Sequence, residues 1–175
     1  DDFVYLAKSY FSHPSYLRIR GIPASYIYDT PIFTLRTQNV EEILTEMRNS
    51  VKDAIGEDIY LISSEVNKWF DPNDKNVQRR LKIFECNSDW AAQYGGNLEI
   101  DKWFMDNYDG NVLKVYKTYS EVLKKLGRDF MPSVIPGFRD VRKETYMNPH
   151  IIVERDLERF YKRIKDALST CHEEL

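Results

Sequence analysis

Apolar residues recur every three or four positions along the clearest predicted helix of the chain. This stripe consists of six residues, Val40, Ile43, Leu44, Met47, Val51 and Ile55. A helix with 3.6 residues per turn places all of them on one face. Asn39 stands before the stripe with Glu42 three residues later, a spacing typical of reciprocal N-terminal capping. Gly56 follows it as a C-terminal stop, so the pattern predicts an amphipathic helix over residues 40–55.

Three further segments have the same period. Residues 3–12 predict a helix that ends at His13-Pro14, because the residue before a proline avoids the α region. Apolar positions from Val112 to Leu126 predict a long helix closed by Gly127. The last predicted helix covers residues 154–171. Its expected buried side consists of Leu157, Phe160, Ile164, Leu168 and Cys171.

Short apolar runs between these helices predict about four strands. The first covers residues 24–28 and ends at Asp29, and the second covers residues 59–64 and ends at Glu65. The second is apolar nearly throughout, as expected of a strand that is covered on both faces. A weaker third strand covers residues 81–86. A fourth covers residues 129–135, although Pro132 removes one donor from its ladder.

The order of these elements indicates an α/β fold. Strands alternate with helices, which favours right-handed β/α units and a parallel sheet. The helix-to-strand connections are short, whereas the strand-to-helix connections are long. In parallel β/α folds, the loops at the carboxyl ends of the strands carry the functional residues. The polar residues at these predicted strand ends are Asp29, Glu65, Glu85, Asn87, Arg139, Asp140 and Arg142.

Composition argues against several classes of function. The net charge is −3 and charges of both signs are interspersed, so the chain has no basic stripe for nucleic acid. The apolar runs are far shorter than a membrane span. The seven glycines form no phosphate-binding loop, and the two cysteines and three histidines lack metal-ligand spacing. We therefore predict no cofactor and no metal, and the sequence does not indicate a cellular compartment.

Carboxylates and aromatic residues remain as the candidate chemistry. The acidic candidates are Asp29, Glu65 and Glu85, and the stacking candidates are Tyr28, Trp90 and Trp103. Paired carboxylates with an aromatic platform are typical of glycosyl transfer or hydrolysis. The alternative is that each carboxylate caps a helix or pairs with an arginine. Spacing alone favours this alternative for any single residue.

Three ordered motifs carry a family resemblance. They are Pro23-Ala24-Ser25-Tyr26-Ile27-Tyr28-Asp29, Ile59-Tyr60-Leu61-Ile62-Ser63-Ser64-Glu65 and Phe130-Met131-Pro132-Ser133-Val134-Ile135-Pro136-Gly137-Phe138-Arg139-Asp140. The segment Tyr10-Phe11-Ser12-His13-Pro14-Ser15-Tyr16-Leu17 leads into the first motif. Together they resemble glycoside hydrolase family 99, which includes the endo-α-mannosidases and bacterial relatives. The similarity covers roughly residues 10 to 170, and its most specific piece is residues 132–138.

The resemblance implies a TIM-type barrel, of which this chain matches the C-terminal half. A full barrel takes about 250 residues, whereas this chain has 175. The family's acid and base glutamates lie in an Asn-Glu-Trp-x-Glu stretch on a later strand, which this sequence lacks. We therefore expect a single β/α domain over residues 1–175, part of a larger barrel and inactive on its own. No catalytic residue is assigned.

The resemblance also implies substrate-binding residues. Tyr28 and Asp29 match a Tyr-Asp strand end that borders the family's sugar site. Glu65 matches one glutamate of an acidic pair, but Ser64 stands where the other is expected. Arg139 and Arg142 compete for the arginine after the Pro-Gly-aromatic turn. The predicted substrate-binding set is Tyr28, Asp29, Glu65, Asn87, Trp90, Arg139, Asp140 and Arg142.

These observations leave three functional hypotheses. The first is part of a glycan-processing hydrolase that acts on an α-mannoside or a related polysaccharide when the barrel is whole. The second is a non-catalytic carbohydrate-binding or assembly domain of the same fold. The third is an unrelated open α/β sheet with an accidental motif match. Half a barrel leaves strand edges and an apolar sheet face uncovered. We therefore expect a second copy, the missing half or unrecognised elements of the chain to cover them.

Overall fold

The computed structural model describes residues 2–68, 70–89, 106–139 and 152–171, with the backbone alone at 138, 139 and 152. The helices are α1 (Asp2–Leu6), which a π-helical turn (Ala7–Phe11) continues, α2 (Thr30–Arg36), α3 (Val40–Ile55), α4 (Lys75–Leu81), α5 (Tyr108–Leu126) and α6 (Leu157–Leu168). The strands are β1 (Arg18–Ile19), β2 (Ile22–Ile27), β3 (Tyr60–Val66), β4 (Cys86–Asp89), β5 (Asp129–Met131), β6 (Phe138–Arg139) and β7 (Ile152–Val153).

Five of these strands form one sheet in the order β1, β2, β3, β4, β5. Strands β2 to β5 are parallel neighbours, and β1 pairs antiparallel with β2 at one edge. Strands β6 and β7 form a separate antiparallel pair. Because helices connect the parallel strands in sequence, the predicted α/β fold of parallel β/α units is confirmed. It forms about half of a TIM-type barrel.

The two faces of this sheet carry different side chains, because successive residues of a strand point to opposite sides. On the inner face, Tyr26 pairs with Ile62, Ile62 with Cys86 and Cys86 with Asp129. Ile62 and Cys86 belong to a buried cluster that contains no helix residue. On the outer face, Leu61 packs in the cluster of α3 and Phe130 in that of α5.

The predicted helix over residues 40–55 is confirmed as α3 with the same bounds. Its Val40, Leu44 and Val51 are buried and pack in one cluster with Leu61 of β3. The C-terminal stop is also confirmed, since Gly56 adopts a left-handed φ of 76°. Asn39 is the N-cap residue as predicted, but the reciprocal capping is not formed, because its side chain makes no cap hydrogen bond.

The prediction of a third strand over residues 81–86 is wrong, because β4 begins at Cys86. Leu81 is the last residue of α4, and both Leu81 and Phe84 are fully buried under the helices. Buried positions are apolar in helices and loops as well as in strands, so residues 81–86 resemble a strand in sequence although most of them do not form one. Helix α4 begins after Asp74, whose side chain caps it by accepting from two backbone amides.

The fourth predicted strand is shorter than expected. Strand β5 ends at Met131, because Pro132 has no N–H with which to continue a ladder. The chain then runs on as the rim segment, which we define as residues 132–137. Ser133 of this segment bonds to the end of β4, so the segment lies against the carboxyl edge of the sheet.

The face of the last helix that packs against the rest of the protein is not the face that its apolar pattern predicts. Its buried residues are Arg163 and Ala167, whereas Leu157 and Leu168 are 67% and 65% exposed. The prediction that these two leucines are buried is wrong. The guanidinium group of Arg163 pairs with Asp109 of α5 and donates to carbonyls of the rim segment, and these bonds fix how α6 is rotated.

Four short elements of the described residues, α2, β1, β6 and β7, were absent from the sequence prediction. Helix α2 follows β2 directly, with Pro31 in its first turn, where a missing N–H costs nothing. The others are the edge strand β1 and the pair β6 and β7, which are too short to produce a periodic signal. Within the described residues, no helix is long and apolar enough to cross a membrane.

Candidate functional site

The carboxyl ends of β2, β3, β4 and β5 meet at one edge of the sheet, which we call the rim. Tyr28 and Asp29 lie at the rim directly after β2, and both are exposed, Tyr28 to 64%. Asp29 has a positive φ of 55°, which is uncommon for residues other than glycine. This backbone turns the chain from β2 into α2, and the Asp29 carbonyl accepts from Ile32 and Phe33.

Hydroxyl groups line the inner face just below the rim. Tyr26 of β2 lies across from Ser64 of β3 and Ser88 of β4, and both serines interact with its phenol group. Partial burial raises the pKa of Tyr26, and the hydrogen bonds from these serines oppose the rise. Tyr26 is nevertheless 46% exposed. Together with Tyr28 it places two accessible aromatic rings at the rim beside hydroxyl donors and acceptors.

Glu65 occupies the end of β3, but its side chain points to the outer face. The carboxylate is fully buried and accepts from Arg80 Nε at 2.7 Å. Thr34 Oγ1 lies at 3.3 and 3.4 Å from the two carboxylate oxygens. The guanidinium group stacks on Phe70 at 4.8 Å. Burial raises the pKa of Glu65, and the contact with Arg80 opposes this rise. This geometry makes Glu65 the partner of Arg80 beneath α2 and α4.

Asn87 is also buried on the outer face. Its amide nitrogen donates to the carbonyl of Leu81 at 2.9 Å, and its amide oxygen accepts from Ser63 Oγ at 3.0 Å. These bonds tie β4 to the end of α4 and to β3. Glu85 precedes β4 and lies at the opposite end of the strand, where it accepts from Arg48 and from the amide of Leu61.

The remaining predicted residues are described in part or not at all. Arg139 lies in β6 with its backbone paired to Ile152, and its side chain is outside the description. Trp90, Asp140 and Arg142 lie outside the described residues. The structure therefore brings Tyr28 and Asp29 together, and turns the side chains of Glu65 and Asn87 to the outer face.

Asp89 is a rim residue that the sequence prediction missed. It ends β4 and is 4% exposed. Its Oδ1 accepts from Ser133 N at 3.0 Å and from Ser133 Oγ at 2.9 Å. Tyr116 Oη of α5 lies 2.9 Å from Asp89 Oδ2 and 2.5 Å from the Ser133 carbonyl oxygen. A strand placed at residues 86–89 would have identified this aspartate as a strand-end residue.

The surroundings of Asp89 change its acidity. Burial raises the pKa of Asp89 to about 6, and the hydrogen bonds from Ser133 oppose this effect. Desolvation dominates because an ionised carboxylate loses its hydration in a low-dielectric site. A carboxyl group that titrates near neutral pH suits proton transfer and is a marker of functional sites. Asp89 is therefore a buried acid at the rim whose pKa lies close to neutral pH.

A small cavity lies behind the rim segment, between α5 and α6. It has a volume of about 20 Å³, and its lining includes Tyr116, Ser133 and Arg163. Such a volume holds about one water molecule. Arg163 Nε pairs with Asp109 Oδ1 at 2.6 Å and Nη1 donates to the Ile135 carbonyl at 3.2 Å. This arginine thus anchors the rim segment at Ile135, whereas Asp89 anchors it at Ser133.

The amino ends of the strands carry a different polar cluster. Arg20 makes two bonds to the Asp129 carboxylate, and the Tyr60 phenol also donates to it. Nearby Cys86 has a pKa raised to about 12, chiefly by burial, so its thiol is unreactive at neutral pH. No group of three or more metal-ligating side chains occurs in the part of the chain that the structure describes. The bonds to Asp129 therefore join β3, β5 and the turn after β1 at this end of the sheet.

Comparison with known proteins supports the fold. No family model and no curated protein matches the sequence. A solved structure of a glycoside hydrolase-like protein matches 99% of this chain with a TM-score of 0.79 and 19% identity. An endo-α-mannosidase of glycoside hydrolase family 99 from Bacteriodes thetaiotaomicron, in complex with bis-tris-propane, matches 97% with a TM-score of 0.63 and 17% identity. The chain spans 47% of the length of each.

These matches establish a glycoside hydrolase-like partial barrel. At this level of identity, the similarity concerns the arrangement of the backbone, and a shared fold does not determine a substrate. The open sheet that the third hypothesis expected is thereby wrong.

Proposed function

We propose that this chain forms part of a carbohydrate-active enzyme of the glycoside hydrolase type, which acts on an α-mannoside or a related polysaccharide. The observation that carries the proposal is the pair of accessible aromatic rings, Tyr26 and Tyr28, beside Asp29 at the carboxyl rim of a half barrel. The glycoside hydrolase-like neighbours support it. The ligand is an oligosaccharide or polysaccharide, and no cofactor or metal takes part.

Each rim residue has a role that follows from its chemistry. The faces of Tyr26 and Tyr28 stack on the apolar face of a sugar ring. The Asp29 carboxylate accepts hydrogen bonds from sugar hydroxyls. We propose Trp90, Arg139, Asp140 and Arg142 as further contacts. Because the chain spans about half of its structural neighbours, bond cleavage belongs to the whole protein.

Glycan binding and hydrolysis test this proposal in two steps. The chain is titrated with α-linked manno-oligosaccharides by calorimetry, and released sugar is measured by chromatography with the 175-residue chain and with a longer gene product. We expect binding by both proteins and release by the longer one alone. Failure of the longer protein to release sugar from any α-mannoside or related glycan contradicts a hydrolase.

A matched pair of tyrosine variants locates the binding site. Tyr28→Ala is expected to weaken glycan binding about fivefold or more, because one stacking surface is lost. Tyr5→Ala removes a ring that is equally exposed, 61% against 64%, but lies on α1. It is expected to leave the affinity unchanged. Equal effects of the two substitutions would place the sugar elsewhere.

The second candidate function is non-catalytic carbohydrate binding or assembly. It is favoured by the two carboxylate candidates Glu65 and Glu85, which are engaged by Arg80 and Arg48. Saturable binding without sugar release, by the chain and by the longer protein alike, would support this function over hydrolysis.

A further inference from the structure

An irregularity in β3 changes which side chains reach the inner face at the rim. Ser63 pairs with Asn87 and Val66 pairs with Asp89, so β3 has one residue more than β4 between these two pairs. Such an extra residue is a β-bulge, which re-aims the side chains around it. A regular strand would place Val66 on the same face as Ser64. Val66 instead packs in the cluster that α4 and α5 cover, and Ser64 is the last residue of β3 on the inner face.

Small hydroxyl side chains occupy the inner face near the ends of β3 and β4. Ser64 of β3 and Ser88 of β4 are both buried. Both serines form hydrogen bonds with the phenol group of Tyr26 in β2, whereas nearly half of the Tyr26 side chain is exposed. Two buried hydroxyl groups on separate strands therefore hold an aromatic side chain that a ligand at the rim can reach.

The contacts of Tyr26 prepare its phenol group for a hydroxyl ligand. Hydrogen bonds to two strands limit the rotation of the side chain, so it loses little further entropy when a ligand binds. Phenol and serine hydroxyl groups both donate and accept hydrogen bonds, and the serine hydrogens rotate to suit their partner. The Tyr26 oxygen can therefore act as donor or as acceptor toward a ligand. A sugar hydroxyl, which also donates and accepts, is the matching group.

We propose that the phenol oxygen of Tyr26 binds one hydroxyl group of the sugar, and that Ser64 and Ser88 hold this oxygen in place. Tyr26 is then a specificity-determining residue, and the two serines are positioning residues that act through it. A site built around such a bond discriminates against a sugar that lacks the matching hydroxyl. The inference rests on the proposed function and adds a polar contact to the stacking of the ring.

Tyr26→Phe tests this contact, because the substitution removes the phenol oxygen and keeps the ring. The affinity for an α-linked mannobiose, measured by calorimetry, should fall about fivefold, as expected for the loss of one hydrogen bond. Tyr10→Phe is the control, since Tyr10 is 47% exposed against 46% for Tyr26 but lies in the π-helical turn after α1. The control should bind as the wild type does. Wild-type affinity in Tyr26→Phe overturns the proposal.

Monodeoxy analogues of the mannobiose identify the sugar hydroxyl that Tyr26 contacts. The analogue that lacks this hydroxyl should bind the wild type and Tyr26→Phe equally well, because neither complex can form the bond. Every other analogue should still bind the variant about fivefold more weakly than the wild type. The same ratio for all analogues would show that the phenol oxygen contacts no single sugar hydroxyl, and this result overturns the proposal.

Ser64→Ala tests the positioning role in a double-mutant cycle. It should weaken mannobiose binding about threefold in the wild type and leave the affinity of Tyr26→Phe unchanged, because the group through which the serine acts is then absent. A general disturbance of the structure would weaken binding equally in both backgrounds. Equal effects in both backgrounds therefore overturn the positioning role.

Comparison with Tyr28→Ala separates this inference from the proposed function. Weaker binding by Tyr28→Ala together with wild-type affinity in Tyr26→Phe supports the carbohydrate site and overturns the contact with the phenol oxygen. Weaker binding by both variants, with the expected dependence on one sugar hydroxyl, supports both proposals. A wild-type chain that binds no mannoside contradicts the proposed function and overturns this inference with it.

Discussion

Glu65 and Asp89 are buried carboxylates at the ends of neighbouring strands, but their partners differ. Glu65 accepts from the guanidinium group of Arg80, whereas hydroxyl and amide groups surround Asp89. Burial raises the pKa of both, and the cation Arg80 opposes the effect at Glu65. The neighbours of each carboxylate therefore determine its role. Glu65 binds residues of α2 and α4, whereas the raised pKa of Asp89 suits it to carry a proton.

Arg80→Met should destabilise the protein strongly. The substitution leaves the Glu65 carboxylate buried without its cation, which typically costs about 3 kcal/mol or more. Urea unfolding measures the loss, and adding Glu65→Gln should recover part of it. Arg79→Met is the control, because Arg79 pairs with Glu41 on the surface and its loss should change little. Equal losses for the two arginines would contradict a structural role for the buried pair.

Asp89 should make the stability of the protein depend on pH. Its pKa of about 6 in the folded state exceeds the ordinary value of 3.8, so the folded protein binds this proton more tightly than the unfolded chain. Its stabilising contribution is full below pH 3.8 and is lost as pH rises through about 6. The total corresponds to about 3 kcal/mol.

Unfolding free energies of the wild type and Asp89→Asn, measured side by side from pH 4 to pH 7, test this dependence. The wild type should lose stability relative to the variant as pH rises. A difference that stays constant, or one that changes in the opposite direction, would show that Asp89 is not the responsible group.

At the scale of elements, glycine stops and strand breaks define the β/α units. Gly56 closes α3 and Gly127 closes α5, both with left-handed backbone, and each is followed closely by a strand. Pro132 ends β5 and releases the chain into the rim segment. These short connections lie opposite to the rim and fix which end of the sheet is free for long loops.

Gly56→Ala should destabilise α3 by about 1 kcal/mol, because an L-residue at positive φ is strained. A Cβ atom at Gly56 would meet no neighbour within 4 Å, so the cost arises in the backbone alone. Gly56→Asn should cost less, since asparagine tolerates this conformation. Thermal unfolding of both variants measures the difference, and an alanine variant as stable as the wild type would contradict the explanation.

For the whole molecule, the half barrel leaves apolar surface at its margins. Strand β5 ends the five-stranded sheet, and α6 exposes Leu157, Tyr161 and Leu168 along one side. Exposed apolar surface of this kind favours association.

We predict that the 175-residue chain self-associates as its concentration rises, as measured by sedimentation velocity. Leu157→Ser combined with Leu168→Ser should reduce the association. Leu35→Ser is the control, because Leu35 is also exposed, to 60%, but lies on α2. A compact monomer at every concentration would contradict the prediction.

The described part of the site could be predicted from the sequence only incompletely. The position of Tyr28 and Asp29 at the rim could be predicted because they directly follow a well-marked strand. Asp89 was missed because the buried Leu81 and Phe84 imitate a strand and shifted β4 by several residues. The direction of the Glu65 and Asn87 side chains depends on the pleat and the helices above it, which no local pattern records.

The sequence by itself determined the parallel β/α order, the position of α3 and the exposed residues after β2, because periodicity and glycine stops are local properties of the chain. Only the tertiary structure decided which carboxylate meets Arg80, which meets Tyr116, and how α6 is rotated. These outcomes depend on contacts between residues far apart in sequence. Desolvation and hydrogen bonding at such contacts, rather than residue type, determine the charge that each group carries.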